Sequence, residues 1–382
     1  MATLNVVPAK IQEAIDVRKA TEYPDSEKVK YWFHCASLGE YEMALPLIKE
    51  TLKSHKLDNI LITFFSSSGY DQAVRGDYNS RIAYVPLDNL ASVKAFYNSI
   101  EPQIAIFVRY ELWYNLIREG LKRGVKFHLI NGRFETNHFL FKAIGRPYLK
   151  LVKRFNKIYT SDEYSQKLLL KRDAQAVFAG DTRFDRIFEI KENSKEFARI
   201  KAFKGQKKLL ILGSSWQPEE DILDSSNLHK LENLAVVIAP HDLSRAANIA
   251  ARFNAKLFTN GDFNNDDNCL VLDTIGMLSE VYQYADFTLV GGGFSGKLHN
   301  TLEPAVWGCH VAFGPKIDKF PEAQDFIIAG FGYKLLKTKD YFDTIDSFMT
   351  NESKLLENKK NAMEYCKKSK GATKRILQDL KL

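Results

Sequence analysis

The sequence has 382 residues, more than one ordinary hydrophobic core accommodates, so two domains are expected. Its composition, 45% hydrophobic and 26% charged, excludes a disordered chain, and no apolar run approaches the roughly 20 residues that span a bilayer. The four cysteines are scattered without a CxxC pair, which argues against a zinc ribbon or a disulfide framework and fits a reducing cytoplasm. The start, MATLNVVPAKIQEAIDVRK, lacks the apolar region of a signal peptide.

The net charge of +7 lies in the first half of the chain. Residues 1–180 hold 26 Lys and Arg against 19 Asp and Glu, whereas residues 181–382 hold 28 of each. The densest part is residues 118–157, with eleven basic residues against Glu119 and Glu135. Because apolar residues are interleaved there, as in NHFLFKAIGRPYLKLVKRF, this basic segment is either a solvated helix face or a surface that docks acidic lipid or nucleic acid.

Short β-rich runs alternate with helical patterns along the first half. The runs are VKYWFHCAS, NILITFFSS, RIAYVPL, IAIFVRY, KFHLING and KIYTSD, and the helical patterns include YEMALPLIKETLKSH and LWYNLIREGLKRG. This alternation predicts a parallel sheet covered by helices.

The second half repeats the pattern with KLLILGSS, AVVIAPH, CLVLDT, ADFTLVGGG and HVAFGP. The boundary is predicted near GDTRFDRI, followed by a charged helix over residues 188–204, so that the domains are residues 1–183 and 184–382. The tail after residue 350 predicts one or two charged helices that close the second domain. The fold class is thus α/β, with two doubly wound Rossmann-like domains expected to face a central cleft at the carboxyl ends of their strands.

Two glutamates follow predicted strands in the first half. In CASLGEYE, Glu40 opens a helix, whose N-terminus favours a carboxylate that could act as a base, although a first-turn glutamate can serve only as a capping charge. In VRYELWYN, Glu111 stands beside Trp113 and could orient a sugar, pair with a cation, or be a simple salt-bridge partner.

Arg183 stands at the predicted domain boundary, within GDTRFDR. A cation there could reach a phosphate or a carboxylate. The alternative is a structural pair with Asp181 or Asp185.

The stretch GGGFSGKLHNTLE, residues 291–303, follows a predicted strand. Its glycines permit positive φ and the close approach of a ligand. A helix is predicted from Thr301, with Asn300 as N-cap, and its N–H groups suit a phosphate. Glu303 would accept hydrogen bonds from ribose hydroxyls, so the stretch predicts a nucleotide site, although a tight turn is the simpler interpretation.

Several chemical motifs are missing from the sequence. It contains no HExxH, no metal-ligand spacing among its eight histidines, no GxxxxGK[ST] and no GxSxG. It also contains no DxD, which argues against a donor bound through a metal ion.

Seven segments taken in order resemble the motifs of the Kdo transferases, which attach 3-deoxy-D-manno-oct-2-ulosonic acid (Kdo) to lipid A precursors. They are HCASLGE, ELW with LINGR, GDTRFD, APH, DTIGML, GGGF…HNTLEPA and FGPKIDKF. The resemblance implies a GT-B glycosyltransferase with CMP-Kdo as donor, a lipid A precursor as acceptor, and no metal or other cofactor.

The resemblance also implies roles for particular residues. It places the general base at Glu40 and transition-state support at Glu111 and Arg183. It places the CMP contacts at eight residues: His241, Gly276, Met277, Leu278, Asn300, Thr301, Leu302 and Glu303. The reaction would be a single displacement with inversion and no covalent intermediate.

The hydrophobic N-terminal anchor typical of the family does not stand in this sequence. We therefore expect a peripheral protein at the cytoplasmic face of the inner membrane that meets anionic lipid through residues 118–157, or an anchor that lies outside the sequence given. Two other classes stay open: a GT-B enzyme that uses a UDP-sugar, as lipid A disaccharide synthase does, and a non-catalytic nucleic-acid-binding protein. The second would not explain carboxylates at strand ends, so no nucleic-acid partner is expected.

Overall fold

The computed structural model describes residues 17, 18, 21, 23, 29–76, 78–226, 233–261, 263–336 and 338–380. The chain divides into two compact units, and the division lies between Arg186 and Ile187. The sequence predicted this boundary three residues earlier, between residues 183 and 184. The first unit also includes the residues from Lys370 onward. The start of the chain, considered above for a signal peptide, lies almost entirely outside the described residues.

The first unit is built on a sheet of seven parallel strands. In chain order they are β1 (Tyr31–Cys35), β2 (Ile60–Phe64), β3 (Ile82–Tyr84), β4 (Ile104–Val108), β5 (Lys126–Gly132), β6 (Lys157–Thr160) and β7 (Ala176–Phe178). Their order across the sheet is β3-β2-β1-β4-β5-β6-β7, so the direction in which strands are added reverses between β1 and β4. Every residue of β1 and β2 is buried, because helices cover both faces of the sheet and each face has its own hydrophobic cluster.

Helices connect these strands. They are α1 (Leu38–Ser54), α2 (Ser67–Val74), α3 (Leu90–Ile100), α4 (Tyr114–Lys122), α5 (Arg146–Val152) and α6 (Glu163–Leu170). After β7, α7 (Thr182–Glu192) continues past Arg186, where the first unit ends.

The second unit repeats this design with another seven-stranded parallel sheet. Its strands are β8 (Lys208–Ser215), β9 (Leu234–Pro240), β10 (Lys256–Leu257), β11 (Cys269–Val271), β12 (Phe287–Val290), β13 (His310–Phe313) and β14 (Gly332–Lys334). The order is β10-β11-β9-β8-β12-β13-β14, which reverses between β8 and β12. Its helices are α8 (Ala198–Lys204), α9 (Gln217–Ser226), α10 (Ala246–Phe253), α11 (Leu278–Val281), α12 (Leu302–Val306), α13 (Pro321–Ile328), α14 (Thr338–Met349) and α15 (Glu352–Ser369).

The single charged helix predicted over residues 188–204 is wrong, because α7 ends before α8 begins. Side chains from elsewhere in the second unit take the backbone donors in the gap. The N–H of Lys195 donates to Glu280, and that of Phe197 donates to the hydroxyl of Tyr284. These bonds replace the intrahelical ones that a continuous helix would need.

The tail forms two helices, as predicted, but the last one does not close the second unit. This helix, α16 (Ala372–Leu380), belongs to the first unit. Its Ile376 is fully buried in a core cluster of that unit, and its Asp379 accepts a hydrogen bond of 3.0 Å from the hydroxyl of Tyr159 on β6. The backbone N–H of Gly371, just before the helix, donates to Asp185. These contacts hold the chain end against the first sheet, which corrects the predicted 184–382 domain.

Among the described residues, no helix combines the length and the apolar character that crossing a bilayer requires.

Candidate active site

Glu40 and Glu111 follow neighbouring strands of the first sheet. Glu40 lies in the first turn of α1, directly after β1, and Glu111 follows β4, which pairs with β1 in parallel. The carboxyl ends of parallel strands meet at one edge, and ligands of such sheets bind where the strand order reverses. Burial raises the pKa of the Cys35 thiol at the end of β1, and the charges of Glu40 and Glu111 raise it further. The structure therefore brings both predicted carboxylates to the reversal point of this sheet.

Glu40 is half-buried and is held by the residue that precedes its helix. Ser37, the N-cap of α1, donates its hydroxyl hydrogen to Oε2 of Glu40 and makes no side-chain bond to the helix backbone. The spacing is that of a capping box, but the serine hydroxyl is directed to the carboxylate instead of a backbone N–H. Glu40 thus sits at the helix start, as both interpretations of the sequence require, and its role as base stays a prediction.

Two ring nitrogens lie against the carboxylate of Glu111. Nε1 of Trp113 donates to its Oε2 at 2.8 Å, and Nε2 of the buried His34 lies 3.5 Å from the same oxygen. Burial acts to raise the pKa of Glu111, but the contacts with His34 and Trp113 outweigh it and lower the pKa below its usual value. Among the described residues the partners of Glu111 are thus a histidine and a tryptophan, and not the Lys or Arg of a simple salt bridge.

Arg183 forms the structural pair that the sequence left open. Its backbone N–H donates to Oδ1 of Asp181, and its Nε and Nη2 donate to Oδ2 at 2.9 and 2.7 Å. The side chain of Asn131 also donates to Asp181. Burial acts to raise the pKa of Asp181, but the charges of Arg183 and Arg109 and the hydrogen bonds from Arg183 lower it overall. Asp181 thus fixes the guanidinium of Arg183, whose catalytic role stays a prediction.

The predicted nucleotide residues lie at one edge of the second sheet. His241 follows β9, the three residues Gly276, Met277 and Leu278 follow β11, and residues 291–303 follow β12. Gly276 has φ +87° with open space where a Cβ would stand, and Leu278 begins a helix of only four residues. All these segments leave parallel strands at their carboxyl ends, which is where such sheets bind ligands.

The three glycines after β12 are required by the protein's own backbone. A Cβ at Gly291 would collide with the carbonyl of Ser214, and one at Gly293 would collide with the backbone of Gly314. Gly292 has φ +86° and donates its N–H to Oε1 of the buried Glu219 at 3.0 Å. Of these three glycines only Gly292 has the positive φ that the sequence permits, and close packing within the fold explains all three without a ligand.

The helix predicted to start at Thr301 starts one residue later. The helix α12 has five residues, and Thr301, directly before it, makes no side-chain capping bond, so the predicted cap Asn300 performs the capping. Asn300 accepts from the N–H of Leu302 at 3.1 Å, while its own amide donates to Oε1 of Glu303 at 3.0 Å. So short a helix has a weak dipole, and the argument for a phosphate at its N-terminus loses force. The Asn300–Glu303 pair instead presents an amide and a carboxylate side by side.

Three aromatic rings meet beside this segment, and the sequence predicted only one of them. The ring of His241 lies 4.7 Å from that of Trp216 and 4.4 Å from that of His299, centroid to centroid. Nε1 of Trp216 donates to Nε2 of His299 at 3.2 Å. Burial, with the charge of His241, lowers the pKa of His299 to about 4, so this ring is neutral near pH 7. A partly exposed stack of this kind can receive a nucleobase. Trp216 directly follows KLLILGSS, so its place at a strand end was the signal that the sequence offered.

The basic segment contains both core and surface residues. Phe155 is buried and stacks on Phe127 at 5.4 Å, so it belongs to the core and not to a docking surface. Phe141 and Tyr148 are only partly buried, and they pack against the same core. Lys153 contacts Asp173 at 3.2 Å.

One exposed stretch of the segment, a turn and the helix that follows it, presents apolar and basic side chains together. Ile144 is 79% exposed, and Phe139 is 38% exposed. The exposed basic residues Lys142, Arg146 and Lys150 flank them in the chain. We call these five residues the basic–apolar tip.

Within the part of the chain that the structure describes, no three His, Cys, Asp or Glu side chains gather as a metal ion would require.

The comparisons with known proteins identify a family resemblance. Residues 11–186 match the family model described as 3-deoxy-D-manno-octulosonic-acid transferase (kdotransferase). A 3-deoxy-D-manno-octulosonic acid transferase of Chlamydophila psittaci is 27% identical over 354 residues, which cover 87% of this chain and 81% of that protein. A bifunctional glycosyltransferase/methyltransferase of Fusobacterium nucleatum subsp. nucleatum is 24% identical over 380 residues, covering 93% of this chain. The chain spans only 57% of that relative's length.

A solved structure supports the fold. The UDP-GlcNAc 2-epimerase from Neisseria meningitidis, bound to UDP-GlcNAc, matches with a TM-score of 0.64 at 15% identity, covering 92% of this chain and 99% of that one. With the two parallel-sheet units, this likeness confirms the predicted GT-B fold. The resemblance predicted from the sequence is likewise confirmed, by the family model for residues 11–186 and by the relatives over most of the chain: the protein is similar to the Kdo transferases.

Proposed function

We propose that this protein is a glycosyltransferase that moves Kdo from CMP-Kdo to a lipid A precursor, with inversion and without a metal ion. The observation that carries the proposal is the placement of Glu40 and Glu111 together at the strand-order reversal of the first sheet. The family match over the same unit supports Kdo as the transferred sugar.

Glu40 would act as the general base. The acceptor is a sugar hydroxyl, which needs a group to take its proton as it attacks the ketosidic carbon of Kdo. The proton would pass to the carboxylate of Glu40, whose Oε2 is already aligned by Ser37. Direct attack opposite the leaving CMP would give a single displacement, and hence inversion.

Glu111 and Arg183 would stabilise the transition state. Departure of CMP gives the sugar oxocarbenium character, and an ionised carboxylate near it is favourable. The lowered pKa of Glu111 keeps it ionised at neutral pH. Arg183 would supply positive potential to the departing phosphate, while Asp181 fixes the direction of its guanidinium.

The second unit would bind CMP. His241, with the neighbouring rings of Trp216 and His299, would stack on the base, and the loop at Gly276, Met277 and Leu278 would border it. The segment Asn300, Thr301, Leu302 and Glu303 would bind the ribose, with the carboxylate of Glu303 accepting hydrogen bonds from its hydroxyls.

The first unit would meet the lipid acceptor. We propose that residues 118–157, and within them the basic–apolar tip, contact the anionic surface at the cytoplasmic face of the inner membrane. Basic residues attract anionic lipid, and an exposed isoleucine adds affinity by entering the headgroup boundary.

The test is a reaction of the purified protein with CMP-Kdo and a tetra-acylated lipid A precursor, with product masses read by mass spectrometry. We expect the acceptor mass to rise by one or more Kdo residues, with the anomeric configuration inverted by NMR and no loss of rate in EDTA. Calorimetry should show binding of CMP in preference to UDP. No mass gain with CMP-Kdo, or preference for UDP, would contradict the proposal.

A further inference from the structure

A chain of polar contacts runs through the core of the first unit to Glu111. Nε1 of Trp32 donates to Oγ1 of Thr63 at 2.8 Å, and this hydroxyl lies 3.0 Å from Nδ1 of His34. The opposite ring nitrogen, Nε2, lies 3.5 Å from Oε2 of Glu111. Trp32, Thr63 and His34 are each 0% exposed. Buried polar groups are costly unless partnered, so this arrangement needs an explanation.

The donors and acceptors in this chain determine where the proton of His34 resides. An indole N–H can only donate, so Thr63 accepts from Trp32 and retains its own hydrogen to donate. A hydroxyl can also accept twice, but a buried hydroxyl whose own hydrogen met no acceptor would be costly, and among the described residues Nδ1 of His34 is the one acceptor within its reach. We therefore assign that hydrogen to Nδ1, which places the ring proton on Nε2. The opposite tautomer would direct a lone pair of Nε2 at the carboxylate of Glu111, which is unfavourable.

The contact between His34 and Glu111 involves one carboxylate oxygen. Oε2 of Glu111 meets Nε2 of His34 and Nε1 of Trp113. Among the described residues, no hydrogen bond or ion pair reaches Oε1, although the side chain is only 19% exposed. At 3.5 Å this contact does not meet the geometry of a hydrogen bond, so the buried Nε2 of His34 faces Oε2 without a hydrogen-bond partner in the part of the chain that the structure describes. Catalytic hydrogen bonds are often long before substrate binds and tighten in its presence.

We propose that His34 is a positioning residue, whose Nε2–H holds Oε2 of Glu111 and thereby presents Oε1 to the substrate. The proposal deepens the proposed function and rests on it for the identity of that substrate. His34 itself touches no reacting atom. Its effect passes through Glu111, and Thr63 and Trp32 act one step further back by fixing the tautomer.

Two substitutions at His34 separate this role from a merely structural one. A Gln side chain places its amide N–H near the position of Nε2, whereas an Asn side chain places its amide near Nδ1 and leaves Glu111 without this partner. We expect His34→Asn to lower kcat for Kdo transfer about ten- to hundredfold, the range for losing a hydrogen bond to a charged group, with little change in KM. His34→Gln should recover most of that loss.

A double-mutant cycle adds a second criterion. In a Glu111→Gln background, His34→Asn should cause no further loss of kcat, because its effect requires the Glu111 carboxylate. Equal losses for His34→Gln and His34→Asn, or additive losses with Glu111→Gln, would overturn the proposal.

The tautomer can be measured without activity. In protein labelled with ¹⁵N in its histidine rings, the signals absent from His34→Gln belong to His34, and a Thr63→Val variant identifies them if His34→Gln does not fold. We expect a proton on Nε2; a ring whose only proton lies on Nδ1 would overturn the proposal. If the parent protein transfers no Kdo at all, the proposed function fails, and this spectrum alone then decides whether His34 donates to Glu111.

Discussion

Ile144 offers the sharpest test of the proposed membrane surface. It lies in a short turn between Phe139 and α5, with 79% of its surface exposed, so it contributes almost nothing to the packed core. Exposed substitutions of this kind normally change stability by no more than about 0.5 kcal/mol. Ile144→Glu should therefore leave the fold and CMP binding intact and act only where the tip meets lipid.

The expected magnitude follows from the exposure of the side chain. Removing an isoleucine side chain fully from water is worth about 1.5–3 kcal/mol, so entry of a side chain that is four-fifths exposed is worth about 1–2 kcal/mol. The new carboxylate adds repulsion from anionic lipid of about 1 kcal/mol. Since each 1.4 kcal/mol is a factor of ten, binding to anionic vesicles should weaken by about 30- to 150-fold.

The assay is co-sedimentation with vesicles of phosphatidylglycerol and phosphatidylethanolamine at two salt concentrations. Ile328→Glu is the matched control, because Ile328 is 85% exposed at the end of α13 in the second unit. Arg146→Glu combined with Lys150→Glu should also weaken binding, and more so at low salt, where charges are less screened. If Ile144→Glu sediments like the parent, or if Ile328→Glu loses as much binding, the tip is not the membrane surface.

Two further substitutions test the proposed site, and a third tests how the stability of the fold depends on pH. Glu40→Gln keeps the size of the side chain but removes its proton affinity, so turnover should fall about 100-fold or more. Calorimetry should show unchanged affinity for CMP. Near-normal turnover would mean that Glu40 serves only as a capping residue. Glu303→Ala should weaken CMP binding by about 1.5–3 kcal/mol, and equal affinity would leave the segment after β12 a turn only. Burial lowers the pKa of His310 to about 3, far below that of an unfolded histidine, so the unfolded state takes up the proton first as the pH falls below about 6.5. The free energy of unfolding is therefore unaffected by His310 above pH 6.5 and falls by up to about 1.4 kcal/mol per pH unit from there toward pH 3. Because Phe does not titrate, His310→Phe should make the urea midpoint fall less between pH 7 and 5. An unchanged slope of midpoint against pH would contradict this.

The sequence predicted the central strands well and missed three edge strands. KFHLING and KLLILGSS coincide with β5 and β8, because strands buried on both faces read as continuous apolar runs. The missed strands β7, β10 and β14 contain three, two and three residues and each lies at an edge of its sheet. An edge strand has one neighbouring strand and is only partly buried. A segment of two or three residues in that position therefore carries no distinctive hydrophobic pattern.

The candidate site was predictable where it depends on local sequence and not where distant residues meet. The position of Glu40 after β1 and of Glu111 after β4 could be read from the strands that precede them. The partner of Glu111 could not, because His34 lies on another strand and its direction depends on Thr63 of β2. The same holds for α16, whose charged sequence does not tell which unit receives its one buried face.

The segment after β12 shows how one set of residues can serve both the fold and a ligand. The N–H groups of Lys297 and His299 donate to the carbonyls of Gly292 and Gly291, so the turn is bonded to itself, and Glu219 on α9 accepts from Gly292. Glu219 also accepts from the N–H of Trp216, so one buried carboxylate fixes both the glycine turn and the start of the ring stack. A segment fixed in this way loses little conformational freedom when a nucleotide binds, which favours affinity. The glycines therefore matter to binding indirectly: they let the turn pack closely enough for Glu219 to hold it, and the turn in turn sets the positions of His299, Asn300 and Glu303.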